Sequence, residues 1–142
     1  MKYWFIAIFV LLLAGCSQQE EDTISTGEKF TMNLTESTFE ETIREAKGVA
    51  VVDFWAPWCG PCNMMEPVIQ EVAKEYEGRA VVGKINIDEE KPLSATFGVT
   101  AIPAILFFKD GELQPEMTLE GIQTKDSLKE KIDLLLSLED GE

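Results

Sequence analysis

The cysteines are the most reactive side chains in this 142-residue sequence, which contains three of them and no histidine. Without an imidazole, Ser-His-Asp and Cys-His catalysis are excluded, and so are most catalytic zinc sites. Cys59 and Cys62 are separated only by Gly60 and Pro61. That spacing puts both sulfurs on one side of a helical turn, within reach of a disulfide. The pair therefore predicts dithiol redox chemistry.

The position of the pair strengthens this prediction, because Cys59 follows an apolar run at residues 49–55 and precedes a predicted helix. The free N–H groups and the positive dipole end at the start of a helix stabilise a thiolate. Pro61 is compatible with a first helical turn and restricts the loop. Gly60 leaves space for the sulfur of a partner molecule. Each residue of the motif thus has a physical reason to be there.

Two alternatives use the same cysteines. Half of a zinc site needs two more ligands, which a chain without histidine does not offer once Cys16 is assigned elsewhere. A structural disulfide is the other alternative, but closing so small a loop adds little stability. We therefore predict a redox pair that uses no metal and no other cofactor.

The rest of the chain alternates predicted strands and helices. The run 49–55 is apolar apart from Asp53, which is typical of a strand buried on both faces of a sheet. Ser37 and Glu40 have the spacing of a capping box, and Asp110-Gly111 is a strong hairpin signal. The predicted strands are 29–34, 49–55, 80–87, 104–108 and 112–119, and the predicted helices are 37–46, 59–76 and 125–138, with a helical turn at 92–97.

This order of elements predicts an α/β domain whose central sheet is mixed parallel and antiparallel, with helices on both faces. Pro115 lies within the strand predicted at 112–119 and marks it as an edge strand. The chain is acidic, with 12 Lys and Arg against 26 Asp and Glu and a formal charge of −14. Such a surface repels phosphate backbones, so no nucleic-acid partner is expected.

The N-terminus predicts export and a lipid anchor. Residues 4–14 form an uncharged apolar run that is too short to cross a bilayer but suits a secretory signal. The run ends in Leu13-Ala14-Gly15-Cys16, which resembles a bacterial lipobox, where the chain is cut before the cysteine and the cysteine is acylated. The alternatives are an ordinary signal peptide with a chance cysteine and a degenerate membrane anchor. The predicted division is a signal peptide at 1–15, lipidated Cys16 with an acidic tether at 16–28, and a folded domain at 29–142.

Four segments resemble the thioredoxin family. VVDFWAPWCGPC at 51–62 is similar to its active-site segment, and VTAIP at 99–103 is similar to its proline loop. GKINID at 83–88 resembles its third strand, and KDGE at 109–112 resembles its hairpin. The similarity extends over about residues 30–138 in the order of the family. It implies a thioredoxin-like fold and thiol-disulfide oxidoreductase activity.

The resemblance implies roles for individual residues. Cys59 would be the exposed attacking thiolate, and Cys62 the resolving thiol that releases a mixed disulfide. Asp53, a carboxyl group in a buried strand, should have a raised pKa and accept the proton of Cys62. Its alternative is an aspartate at a strand end that faces water. Lys84 would lie near this carboxyl group and tune it, whereas a surface lysine is the alternative.

The resemblance also implies a docking surface for substrate peptides. Pro103 resembles the family's cis proline, with a trans proline that opens a strand as the alternative. The backbone of Ile102 would then pair with an extended peptide, as an added strand does. The residues expected to contact a substrate are Trp58, Gly60, Pro61, Ile102, Pro103 and Gly121.

These inferences combine into one functional hypothesis. The chain is expected to be an extracytoplasmic protein-disulfide reductase, anchored to a bacterial membrane by lipid on Cys16. Its partners would be exported proteins that carry cysteines or disulfides, and a membrane thiol-electron carrier would supply its electrons. A thiol oxidase or isomerase would use the same residues. A binding module or chaperone without turnover is the alternative from another class.

Overall fold

The fold is known for residues 29–138 of the computed structural model. The predicted signal peptide, Cys16 and the tether, all within residues 1–28, lie outside this range, as do residues 139–142. Along the chain the elements are β1 (Met32–Asn33), α1 (Glu36–Phe39) continued by a π-helical turn (Glu40–Arg44), β2 (Val49–Trp55), α2 (Gly60–Glu75), β3 (Ala80–Asn86), α3 (Lys91–Thr96), β4 (Ala104–Lys109), β5 (Glu112–Leu113), a 3-10 turn (Pro115–Met117), β6 (Leu119–Glu120) and α4 (Lys125–Ser137).

The strands form one mixed sheet in the order β1-β3-β2-β4-β5, and β6 also pairs with β4. β1, β3 and β2 are parallel to one another, whereas β4 is antiparallel to β2, β5 and β6. The prediction of a mixed sheet is therefore confirmed. β2 pairs with β3 on one side and with β4 on the other along most of its length, so it lies inside the sheet and not at an edge.

Helices cover both faces of the sheet, as predicted. Val49 and Val51 of β2 pack in the core that α2 and α4 cover. Ala50 and Val52 pack on the other face, with the α1 segment and α3. Successive residues of a strand point to opposite faces. Asp53 therefore lies on the same face as Val51, beneath α2.

An apolar face attaches α2 and α4 to the sheet. Met65, Ile69 and Val72 of α2 meet Leu128 and Ile132 of α4 in one core, and all five are fully buried. Burying one such side chain contributes about 1.5–3 kcal/mol. The start of α2, where the cysteines lie, is therefore held firmly against the sheet. Within residues 29–138, none of the helices combines the length and apolar character needed to cross a membrane.

The predicted start of the first helix is wrong. Its capping box is formed by Thr35 and Thr38, and not by Ser37 and Glu40. The chain leaves the sheet immediately before this point, where the N–H of buried Leu34 still donates to the carbonyl oxygen of Lys84 at 2.8 Å. Thr35 is therefore the first residue free to cap a helix.

Two predicted strands are also too long. The first is only Met32–Asn33 instead of 29–34. The second, predicted at 112–119, is interrupted by the turn Pro115–Met117 and continues only at Leu119–Glu120. A proline has no N–H to give to a neighbouring strand, so the pairing stops where Pro115 enters.

Candidate active site

The two cysteines of the motif meet at the start of α2 and form a disulfide, with their Cα atoms 5.2 Å apart. Cys59 is the N-cap of α2, and its Sγ accepts a hydrogen bond from the backbone N–H of Cys62 at 3.2 Å. Pro61 lies in the first turn, where the N–H that it lacks has no helical partner. After reduction, the same N–H and the helix dipole would stabilise a thiolate on Cys59.

The expectation that Cys59 is exposed is wrong for the disulfide form, in which the residue is only 5% exposed. Its sulfur is bonded to Cys62, and Trp55 and Ile102 pack against the pair. Gly60 on the adjoining turn is exposed, and a Cβ placed on it would meet no atom within 4 Å. A partner molecule can therefore approach the disulfide over the Gly60 side of the motif.

Asp53 is a buried carboxyl group on the strand that leads to the cysteines. It is 1% exposed, which confirms its predicted burial and excludes an aspartate that faces water. Burial raises its pKa from 3.8 to about 6, and the ammonium of Lys84 opposes this rise. Within residues 29–138, its Oδ1 has no hydrogen-bond partner. Asp53 thus has a pKa close enough to neutrality to exchange protons.

Lys84 lies directly opposite Asp53 in the pairing of β2 with β3, and it is only 4% exposed. The interpretation of this residue as a surface lysine is therefore wrong. Burial lowers the pKa of Lys84, while the Asp53 carboxylate raises it. The ammonium is 4.4 Å from the centre of the Trp55 ring and forms an ion pair with Glu66.

Glu66 was not predicted from the sequence. It lies on α2 four residues after Cys62, and its partner Lys84 is 18 positions away on β3. No local pattern marks a pair that forms only when a helix packs across a strand. A lysine inside an otherwise apolar strand was the one available signal, because a buried ammonium requires a counter-charge.

The residues expected to dock substrate surround the end of the sheet next to the cysteines. The Ile102–Pro103 peptide bond is cis, as the resemblance implied. The carbonyl oxygen of Pro103 accepts the N–H of Gly121 at 2.8 Å, so the proline loop and the segment after β6 are joined. Trp58 is 67% exposed, and its indole N–H donates to Asp88 at 2.9 Å.

These contacts place Ile102 against the cysteine pair and fix Gly121 beside Pro103. Gly121 has a φ of +76°, and a Cβ placed on it would meet no atom within 4 Å, so the surface is open there. Within residues 29–138, no group of three or more histidine, cysteine, aspartate or glutamate side chains is arranged to hold a metal ion. The cis proline loop and an open surface therefore lie beside the Cys59–Cys62 disulfide, the group that can exchange with a thiol or disulfide of another molecule.

Comparison with known proteins agrees with this geometry. Residues 30–134 match the family described as Thioredoxin. The thioredoxin of Pseudomonas aeruginosa is 42% identical over 102 residues, which are 72% of this chain and 93% of the relative. The thioredoxin of Staphylococcus haemolyticus is 44% identical, over 72% of this chain and 94% of the relative. The thioredoxin of Rickettsia felis is 43% identical, over 71% of this chain and 94% of the relative. The chain belongs to the thioredoxin family and is a thiol-disulfide oxidoreductase whose redox group is the Cys59–Cys62 pair.

Proposed function

We propose that the chain is a protein-disulfide reductase that acts on exported proteins while a lipid on Cys16 holds it to a bacterial membrane. The observation that carries the proposal is the buried Asp53, whose pKa of about 6 suits it to accept a thiol proton near neutral pH. The Gly-Pro pair between the cysteines favours the reducing direction, since it resembles the reducing branch of the family.

The reaction needs two thiol-disulfide exchanges. The Cys59 thiolate attacks one sulfur of a substrate disulfide, and the other substrate sulfur leaves as a thiolate that takes up a proton from water. Asp53 then accepts the proton of the Cys62 thiol, and the Cys62 thiolate attacks the Sγ of Cys59. The second substrate sulfur leaves, the Cys59–Cys62 disulfide forms, and two electrons have passed to the substrate. Lys84 tunes the proton affinity of Asp53 from the neighbouring strand.

The residues around the pair would bind the substrate: Trp58 and Gly60 are exposed, and Ile102 and Gly121 are half-buried. The Ile102 backbone, next to the cis Pro103, offers an edge for an extended peptide, and Trp58 and Gly121 border it. Gly60 leaves the substrate sulfur a path to Cys59. This surface recognises an unfolded or extended segment mainly through its backbone, which suits a reductase with many exported substrates.

The proposed location rests on the sequence before the folded domain. The apolar run at 4–14 and Leu13-Ala14-Gly15-Cys16 predict cleavage and acylation. Stable anchoring takes more than one acyl chain, so a multiply acylated Cys16 is expected. Away from the cytoplasm, the electrons would arrive through a membrane thiol-electron carrier, because each turnover leaves the Cys59–Cys62 pair oxidised and a thiol donor must reduce it again.

Reduction of insulin disulfides by dithiothreitol tests the activity, with Cys59→Ala as the control. We expect wild type to accelerate the reaction and Cys59→Ala to match the uncatalysed rate. Equal rates with both proteins would favour the binding module. The reduction potential of the Cys59–Cys62 pair tests the direction of electron transfer. A value of about −270 mV, typical of thioredoxin, agrees with a reductase. A value of about −120 mV would identify an oxidase.

Trapping and labelling test the partners and the location. Cys62→Ser should accumulate mixed disulfides with exported proteins, because the resolving thiol is absent. Trapping of only cytoplasmic proteins would contradict the proposed substrates. Labelling cells with radioactive palmitate should mark wild type but not Cys16→Ser. An unlabelled wild type would contradict the lipid anchor.

A further inference from the structure

A chain of polar side chains leads from β1 across α2 to the buried lysine. The Oε2 atom of Glu66 forms the ion pair with the ammonium of Lys84. Its other oxygen accepts a hydrogen bond from the side-chain amide of Gln70 at 2.9 Å. Gln70 also donates to the hydroxyl of Thr31 at 2.8 Å and accepts the N–H of Phe30 at 3.1 Å. The Glu66 carboxylate is therefore held from two sides.

Lys84 consequently lies between two carboxyl groups. Asp53 is its cross-strand neighbour on β2, and Glu66 reaches it from α2. The Trp55 ring, 4.4 Å from the ammonium, limits where that ammonium can move. Lys84 and Asp53 are almost entirely buried, whereas the Glu66 side chain is 37% exposed, so water screens the interaction between Lys84 and Asp53 less than the ion pair with Glu66. The strength with which the ammonium stabilises the Asp53 carboxylate thus depends on whether the ammonium is held closer to Asp53 or closer to Glu66.

We propose that Glu66 is a positioning residue that draws the Lys84 ammonium toward α2 and so limits how strongly that ammonium stabilises the Asp53 carboxylate. The role rests on the proposed function, in which Asp53 accepts the proton of the resolving thiol. Glu66 keeps Asp53 basic enough for that task and still provides the buried lysine with a counter-charge. Gln70 fixes the Glu66 carboxylate, and this gives the ion pair one preferred geometry.

The other neighbours of Asp53 add little charge. Its partner on β4 is Ile105, and the α4 residues Leu128, Ile132 and Leu135 that pack in this core are apolar. Lys29, which precedes β1, acts on Lys84 and lowers its pKa. The charged group that acts on Asp53 is therefore Lys84 from β3, and Glu66 and Lys29 act on that lysine.

The decisive variant is Glu66→Gln, which keeps the shape of the side chain and removes its charge. The ammonium then has Asp53 as its remaining carboxylate partner, and the ionised form of Asp53 is favoured. We expect the pKa of Asp53 to fall by about one unit, at the low end of what an opposite charge at 4–6 Å produces. Carbon-13 NMR of the Asp53 carboxyl in the oxidised protein measures this directly.

Glu71→Gln is the matched control, since it removes the same charge from α2 at an exposed position whose partner is Lys125 at 3.4 Å. It should leave the titration of Asp53 unchanged. A double-mutant cycle with Lys84→Met shows whether Glu66 acts through the lysine. In the Lys84→Met background, Glu66→Gln should shift the titration by less than half as much. An equal shift in both backgrounds, or no shift in Glu66→Gln alone, would overturn the proposal.

The acid limb of the insulin-reduction profile provides a second readout, because it should move to lower pH in Glu66→Gln and not in Glu71→Gln. The NMR titration requires no turnover. A wild-type protein that fails to reduce insulin would therefore remove the proposed function, and the effect of Glu66 on Asp53 would still be measured. If wild type reduces insulin but Glu66→Gln leaves the titration of Asp53 unchanged, only the role of Glu66 is contradicted.

Discussion

The buried Asp53 carboxyl should make the protein less stable as the pH rises. Its pKa is 3.8 in an unfolded chain and about 6 in the fold. Each pH unit of difference corresponds to about 1.4 kcal/mol, so ionised Asp53 costs the folded state about 3 kcal/mol. Because the folded pKa is the higher one, this cost is absent below pH 3.8, grows between the two values and is complete above about pH 6. Asp53→Asn removes the ionisation and therefore the cost.

The assay is urea unfolding of the oxidised protein at several pH values from 3.5 to 8, a range that begins below the unfolded pKa of Asp53 and ends above its folded pKa. We expect Asp53→Asn to gain up to about 3 kcal/mol over wild type at pH 8, relative to its difference at pH 3.5. The asparagine amide brings new donors into an apolar site, which adds an offset that does not vary with pH. The pH-dependent part of the difference is therefore the diagnostic quantity.

Asp126→Asn is the control, because it removes an aspartate from the exposed first turn of α4. A carboxylate is favourable at a helix start, so its loss should slightly lower the stability. A difference between Asp53→Asn and wild type that stays constant from pH 3.5 to 8 would refute the reasoning about Asp53. Asp53→Asn should also slow turnover near neutral pH, on the order of 10- to 100-fold, as expected when a general base is lost.

Two further predictions concern the neighbouring lysine and the hairpin. Lys84→Met removes the charge that lowers the pKa of Asp53, so the acid limb of the pH-rate profile should move to higher pH than in wild type. An unchanged acid limb would contradict the electrostatic effect of Lys84 on Asp53. Gly111→Ala should lower the free energy of unfolding by about 2 kcal/mol or more, because φ is +83° and the new Cβ would overlap the carbonyl oxygen of Arg44. Urea unfolding measures the loss, and Gly98→Ala, at φ +64° in open space, should cost less; equal costs would rule out the overlap.

The sequence was sufficient for the elements whose signals are local. β2 was predicted at its observed bounds, because a strand that is covered on both faces is apolar at nearly every position, with Asp53 the one exception here. The start of α2 was found through Cys59, Gly60 and Pro61, whose types fit a helix N-terminus. The hairpin at Asp110-Gly111 was found because few residue pairs adopt that turn. In each case the residues that determine the structure are adjacent in the chain.

The sequence was insufficient where two local signals compete or where distant residues meet. Both Thr35 and Ser37 precede a potential capping partner, and only the end of β1 decides between them. The ion pair between Glu66 and Lys84 depends on how α2 crosses β3, which no spacing along the chain encodes. The small exposure of Cys59 depends on Ile102, a residue from a loop more than 40 positions away.

The hydrogen bond between Pro103 and Gly121 has a consequence for the order of events during synthesis. The cysteine motif emerges early, whereas the loop that borders it is secured only after β6 has joined β4. A nascent chain therefore holds the two cysteines, Asp53 and Lys84 before the peptide-binding edge beside Pro103 is complete. Catalytic competence arrives late, together with the closing segment.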